Sequence, residues 1–299
     1  MRISERHRYD LASDRIERSK QANAEALDEI STQKRINKLS DDAMGAAQAV
    51  RYRDRISGAQ QFQKNVMFSR GYIERTENAI SGIHDRLIRA KELAVATAND
   101  TYDGSSREAA GREVKQIIEE VTSLANTSYN GRFVLAGFRT ATPAMSSDGT
   151  YNGDDGVIYV QIGKDDFRQV NLQARSLFEA SEDEQKARHF NLVDTLEVLQ
   201  RGLMENDKPN IQRSLDELDH QMEKSSSFQA TVGALQRSLD EAAKKLELDE
   251  EKTKGVLSNI EDVDIYKSSS EFKRTETVLQ GTLMASNKLL QPSLLNFMQ

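Results

Sequence analysis

The sequence predicts a mainly α protein: a long antiparallel helical bundle or coiled-coil rod formed by the N- and C-terminal halves, with a small β-rich domain inserted at the tip. Three observations carry this. From Ala59 to Thr97 one row at seven-residue spacing holds Ala59, Val66, Ile73, Ile80, Leu87 and Ala94, and a second holds Phe62, Ile83 and Ala90. Two such rows make the narrow seam of a coiled coil rather than the wide apolar face of a globular helix. A comparable series returns after Pro209, and between the two lies a stretch rich in glycine and aromatic residues.

Composition supports thin cores. Of 299 residues, 37% are hydrophobic and 30% charged, and tryptophan is absent, which leaves little for a large aromatic pocket. The prolines, Pro143, Pro209 and Pro292, leave long tracts in which helices run uninterrupted. A net charge of −7 argues against nucleic acid or an anionic membrane as the main partner. No run of 18 apolar residues is present to span a membrane. The opening residues lack the apolar centre of a cleavable secretory signal, so the expectation is a cytosolic protein or one exported without a cleaved signal. With no cysteine there are no disulfides, thiolate metal sites or thiol nucleophiles.

Residues 1–40 are helix-compatible but thinly apolar, and are expected to be disordered until a partner surface is supplied. Ser40-Asp41-Asp42 then offers side-chain oxygens to cap a helix from Ala43 to about Ala98, roughly 80 Å at about 1.5 Å per residue. Asn99–Gly104 reads as a break, and Ser105 with Glu108 has the spacing of a capping box opening a second helix. Its stripe is Ala110, Val114, Ile117, Val121 and Leu124, and Asn130-Gly131 is expected to end it. This gives residues 41–132 as the N-terminal half of the rod.

Residues 133–181 form the inserted β-rich domain, with Val157–Ile162 and Arg168–Leu172 as strands and Tyr151–Gly156 as turns. Residues 182–264 are the C-terminal half. A helix marked by Phe190, Val193, Leu196, Leu199 and Leu203 breaks at Asn206–Pro209, and a long one follows from Ile211 through Leu246 to Val256, Ile260 and Val263. Residues 265–299 are a polar terminal assembly segment ending in an apolar cluster, Leu289, Leu290, Leu294, Leu295 and Phe297, that calls for burial in an assembly.

Motifs for catalysis are lacking. His7, His84, His189 and His220 share no metal-ligand spacing, and no Walker A, GxGxxG or GxSxG occurs. Asp148–Asp154 resembles the start of a calcium loop but places Tyr159 where a bidentate Glu is needed. The expectation is no enzyme, no cofactor and no metal.

Several motifs carry a resemblance. Arg35-Ile36-Asn37-Lys38-Leu39-Ser40-Asp41-Asp42-Ala43, Leu87–Ala94 and Ala98–Thr101 are similar to the N-terminal half of the bacterial flagellin superfamily. Within it, Met1-Arg2-Ile3-Ser4, Leu124–Gly137, Val232-Gly233-Ala234, Leu257–Asp264 and Ser293–Phe297 resemble the hook–filament junction proteins of the third hook-associated type. Ala43-Met44-Gly45 departs toward filament-forming flagellin, since junction proteins usually carry proline after the two aspartates.

The resemblance implies an extracellular structural subunit, exported unfolded by the flagellar type III route and placed between hook and filament. Its implied partners are the first hook-associated protein, flagellin, an export chaperone and further copies in a helical ring or tube, with no nucleic acid or membrane. Arg35, Ile36, Asp41, Asp42, Arg89, Leu93, Leu290, Leu294, Leu295 and Phe297 are the expected assembly interface. The alternatives are a flagellin forming the filament itself and, in another class, a non-flagellar coiled-coil or secreted effector protein.

Overall fold

The computed structural model describes residues 2–98 and 103–290, and is mainly helical. Its elements are α1 (Arg2–Thr32), α2 (Ala43–Ala98), α3 (Gly104–Ala125), β1 (Ser128–Tyr129), β2 (Arg132–Phe133), β3 (Tyr159–Gln161) and β4 (Phe167–Gln169). They continue with α4 (Arg175–Phe178), α5 (Glu182–Lys186), α6 (Leu192–Met204), α7 (Lys208–Glu261) and α8 (Ile265–Leu290). The chain forms two compact units. One comprises residues 1–58 and 249–299, the other residues 59–248.

In the first unit α1 and α8 run antiparallel. The Asn23 amide donates to the Thr275 hydroxyl (3.3 Å), and six residues further along α1 the Ser268 hydroxyl donates to Glu29 (3.3 Å). Their shared seam buries small residues, Ala12, Ala26, Ser268 and Ser286. The same unit contains the first turns of α2, where Ala46 and Ala49 are buried, and the last turns of α7, tied together by Arg55–Asp249 (2.5 Å).

The second unit is built on the heptad rows. Val66, Ile73, Ile80, Ile83, Leu87, Ala90 and Ala94 are buried against Val114, Ile117 and Val121 of α3 and against Leu192, Leu196, Leu199 and Leu203 of α6. Two ion pairs fix α7 against α2. Arg70–Asp240 and Lys91–Asp219 lie three heptads apart on both helices, so the pairing is antiparallel and in strict seven-residue register. Arg86–Glu120 (3.0 Å) and Arg89–Glu113 (2.7 Å) link α3 to α2, also antiparallel. At Gly82 a side chain would meet the Leu124 methyls at 3.0 Å, so this glycine sets how closely α2 and α3 approach.

The inserted stretch has less sheet than its composition predicts. β1–β2 and β3–β4 are each two-stranded and antiparallel, joined in space by loops rather than one sheet. Asparagine side chains complete the backbone bonding. Asn126 both donates to Met145 O and accepts from Met145 N (2.8 Å each), and the buried Asn171 accepts from Ile158 N (2.7 Å) and donates to Gly156 O (2.6 Å). Val134, Leu135, Ala136, Met145, Leu177 and Phe178 are buried in the same apolar cluster as the helices.

Three local expectations change. Asn130 (φ +49°) and Gly131 (φ +75°) do not end α3, which stops at Ala125; both sit in the left-handed region and form the two-residue turn of the β1–β2 hairpin. The α3 cap is Asp103, which accepts from Ser106 N (2.8 Å), while Ser105 donates to that same carboxylate. Finally, α7 ends at Glu261, so Val263 belongs to the turn before α8 rather than to the helical stripe.

Candidate assembly joint

Four of the expected interface residues come together in the first unit, at the level where α1 gives way to α2 and α7 to α8. The chain leaves α1 at Gln33, whose φ of +57° turns the backbone. Residues 33–35 then pair with the α7–α8 turn: Arg35 N donates to Glu261 O (2.7 Å), Val263 N donates to Gln33 O (3.1 Å), and Lys34 and Asp262 face each other as an antiparallel bridge. Two interruptions of helix thus satisfy each other's backbone groups, which exposed loops would leave to water.

Charge reinforces the backbone. The Glu261 side chain is only 6% exposed and lies between two cations, Lys34 (2.9 Å) and Arg53. Its burial is offset by both partners, so removal of the carboxylate leaves two cations without a counterion. Arg35 reaches over the same joint, donating to Ile260 O (2.9 Å) and pairing with Asp42 (3.3 Å).

The two aspartates divide the capping work. Asp41 folds back on the loop, accepting from Lys38 N (2.7 Å) and Asn37 N (3.0 Å). Asp42 is the α2 cap, accepting from Gly45 N (2.8 Å). These N–H donors, Lys38 for Asp41 and Gly45 for Asp42, hold both carboxyls below the usual carboxylate range. Ile36 is buried beneath them. A side chain at Gly45 would meet Asp42 and the Ile36 Cδ1 at under 3 Å, so the cap, the apolar plug and the glycine form one fitted set.

The other expected residues fall elsewhere. Arg89 is in the second unit, held by Glu113 (2.7 Å) and Glu92 (3.0 Å), and the Glu113 bond leads in raising its pKa. Leu93 packs against the core of that same unit. Both make these contacts inside the second unit. Leu290 is the last residue of α8, its side chain not described, and Leu294, Leu295 and Phe297 lie outside the described residues. Sequence reasoning missed Lys34, Arg53 and Glu261. Glu261 lay inside the Leu257–Asp264 motif without being singled out, an acidic residue at the end of a heptad series. Among the described residues no group of three or more His, Asp or Glu is placed to hold a metal ion, and no helix is long and apolar enough to cross a membrane.

Comparison with known proteins places this architecture. The model for the bacterial flagellin N-terminal helical region matches residues 3–140, and that for the bacterial flagellin C-terminal helical region matches residues 215–298. A flagellin of Halalkalibacterium halodurans is 28% identical over 261 residues, covering 86% of this chain and 84% of that one. The flagellar filament 31.3 kDa core protein of Treponema maltophilum is 26% identical over 267 residues, covering 88% and 87%. Among solved structures, a putative flagellar hook-associated protein from Vibrio parahaemolyticus superposes with a TM-score of 0.68 at 18% identity, over 74% of this chain and 100% of the other. Bacillus cereus FlgL gives 0.60 at 20% identity, over 70% and 99%. The structures share the fold, and the matched regions lie on both sides of the insert. With the N-terminal and C-terminal regions both present, in their order and on the expected helices, this chain belongs to the flagellin family and is a structural protein of the bacterial flagellum.

Proposed function

We propose that this chain is the subunit that joins hook to filament. The observation carrying the reading is the match of hook-associated folds over essentially their whole length, together with the motif Leu124–Gly137. That motif spans the end of α3, the β1–β2 hairpin and the buried Val134-Leu135-Ala136, so it lies where helix passes into insert. On this reading the partners are the first hook-associated protein, flagellin, an export chaperone and further copies of the chain, and the protein is exported unfolded.

The joint has a clear part in this proposal. Arg35, Ile36, Asp41 and Asp42 fix the connection between the terminal pair α1–α8 and the helices that follow it, and Leu290, Leu294, Leu295 and Phe297 serve subunit contacts at the far end of the chain. Subunits meeting head to tail with a non-closing rotation build a helical tube.

A second reading, a flagellin that forms the filament, is favoured by Ala43-Met44-Gly45 and by the names of the relatives in sequence. The two differ in where the protein sits. Gold-labelled antibody on isolated flagella is expected to mark one band at the hook's distal end. Label along the whole filament would overturn the junction reading in favour of the second.

A further inference from the structure

The stretch of α7 from Arg213 to Ser225 has two unlike sides. Outward, it holds the segment that leads from the insert back to α6. Glu217 accepts from Phe190 N (3.2 Å) and bonds His189 Nδ1 (3.2 Å); His220 bonds Glu184 (2.9 Å); Lys224 reaches Glu184 and the Glu179 carbonyl (3.4 Å each). Arg213 donates to Arg188 O (3.2 Å) and lies over the Phe190 ring at 4.3 Å, and the His189 and His220 rings stack at 4.3 Å. Burial raises the Glu184 carboxyl, but the Ser181 N–H, His220 and Lys224 outweigh it and hold its pKa at about 2. Residues 179–191 are thus a strap fastened by four outward side chains of one helix, Arg213, Glu217, His220 and Lys224.

Inward, the same stretch is poorly made. Gln221 and Ser225 occupy seam positions one turn apart and are fully buried, among Leu218 and Val232. Gln221 donates to Phe190 O (2.9 Å), yet its Oε1 has no partner, and neither does Ser225 Oγ. The α2–α7 register set by Arg70–Asp240 and Lys91–Asp219 brings residue 84 level with residue 226, and His84 Nδ1 is likewise buried without a partner. His84 Nδ1 and Ser225 Oγ thus lie near one level of the bundle and Gln221 Oε1 about one turn away, all three with their bonds unmade. An unmet buried bond is expensive, whereas an apolar side chain of similar shape there is close to neutral.

We infer that residues 213–228 of α7 and the strap 179–191 open together, as one unit, ahead of the rest of the bundle. The strong outward bonds make the strap follow α7, and the defective seam makes this stretch of α7 the first to leave. The device gives the insert a hinged attachment on one side while α2 and α3 stay closed.

Native-state amide hydrogen exchange on the full chain tests this. Amides of 179–191 and 213–228 are expected to exchange through one opening, at least about tenfold faster than those of residues 73–90, the ratio that one unmade buried bond supplies. Ser225→Ala, which removes a buried hydroxyl with no partner and leaves the Gln221–Phe190 bond in place, should slow both segments together by about tenfold and raise the melting temperature. Ser69→Ala, which removes a buried hydroxyl already bonded to Asn65 O (2.8 Å), should give neither effect. Faster exchange or a lower melting temperature in Ser225→Ala would mean that its hydroxyl is satisfied, and the inference fails. Exchange of the strap independent of α7 would overturn it equally.

Discussion

Glu261 is the residue on which the first unit's joint turns. It is a nearly buried carboxylate between Lys34 and Arg53, with its own carbonyl accepting from Arg35 N. Glu261→Gln keeps the shape and removes the charge. Both cations are partly exposed, so solvent screens part of the loss; the expected destabilisation of this unit is about 1–3 kcal/mol. Denaturant unfolding followed in parallel for Glu261→Gln and for Asp262→Asn checks it, since Asp262 contributes its backbone to the joint. Equal effects of the two would remove Glu261 from its central place. At this scale the sequence was readable in parts. Asp42 as the α2 cap followed from Ser40-Asp41-Asp42 ahead of a helical stripe, and Gly45 bonding to it confirms the position. Asp103 was hidden behind Ser105 and Glu108, whose spacing mimics a capping box. Asn130-Gly131 was legible as a backbone reversal but ambiguous between a helix end and a hairpin, because left-handed φ serves both.

Elements were the most legible scale. The rows at seven-residue spacing give α2, α3 and α7 directly, because a narrow seam needs only one apolar residue in three or four and leaves little else to explain. The stretch 133–181 was harder. Its glycine and aromatic content predicts sheet, yet its strands are two or three residues long and its loops are held by Asn126 and Asn171 side chains standing in for backbone partners. Such substitution leaves no periodicity to read. The terminal helices make their own prediction. The α1–α8 seam buries mainly alanine and serine, while Tyr9, Leu11, Leu27, Tyr266 and Met284 are exposed. Small buried side chains return little free energy against the entropy of ordering two helices. Residues 1–40 and 265–299 are therefore expected to be cut by protease in the isolated subunit within a time that leaves 59–248 intact, and to be protected in the assembled structure. Equal protection in both states would contradict the assignment of these segments to assembly.

For the molecule as a whole, the first unit joins the two ends of the chain and the second carries everything between them, so the N- and C-terminal regions shared across the flagellin family are brought together by folding. The family is written in motifs at helix ends, Arg35–Asp42 and Leu257–Asp264, and the structure shows why those are the informative places: they are the two sides of one joint. Heptad rows alone predict a bundle and are silent on the flagellum. The proposed connection of hook to filament is tested most directly by electron microscopy of intact cells of a strain lacking the gene. Hooks without filaments, with flagellin released into the medium and filaments restored by the wild-type gene, is the predicted result; long filaments still attached to their hooks would contradict it.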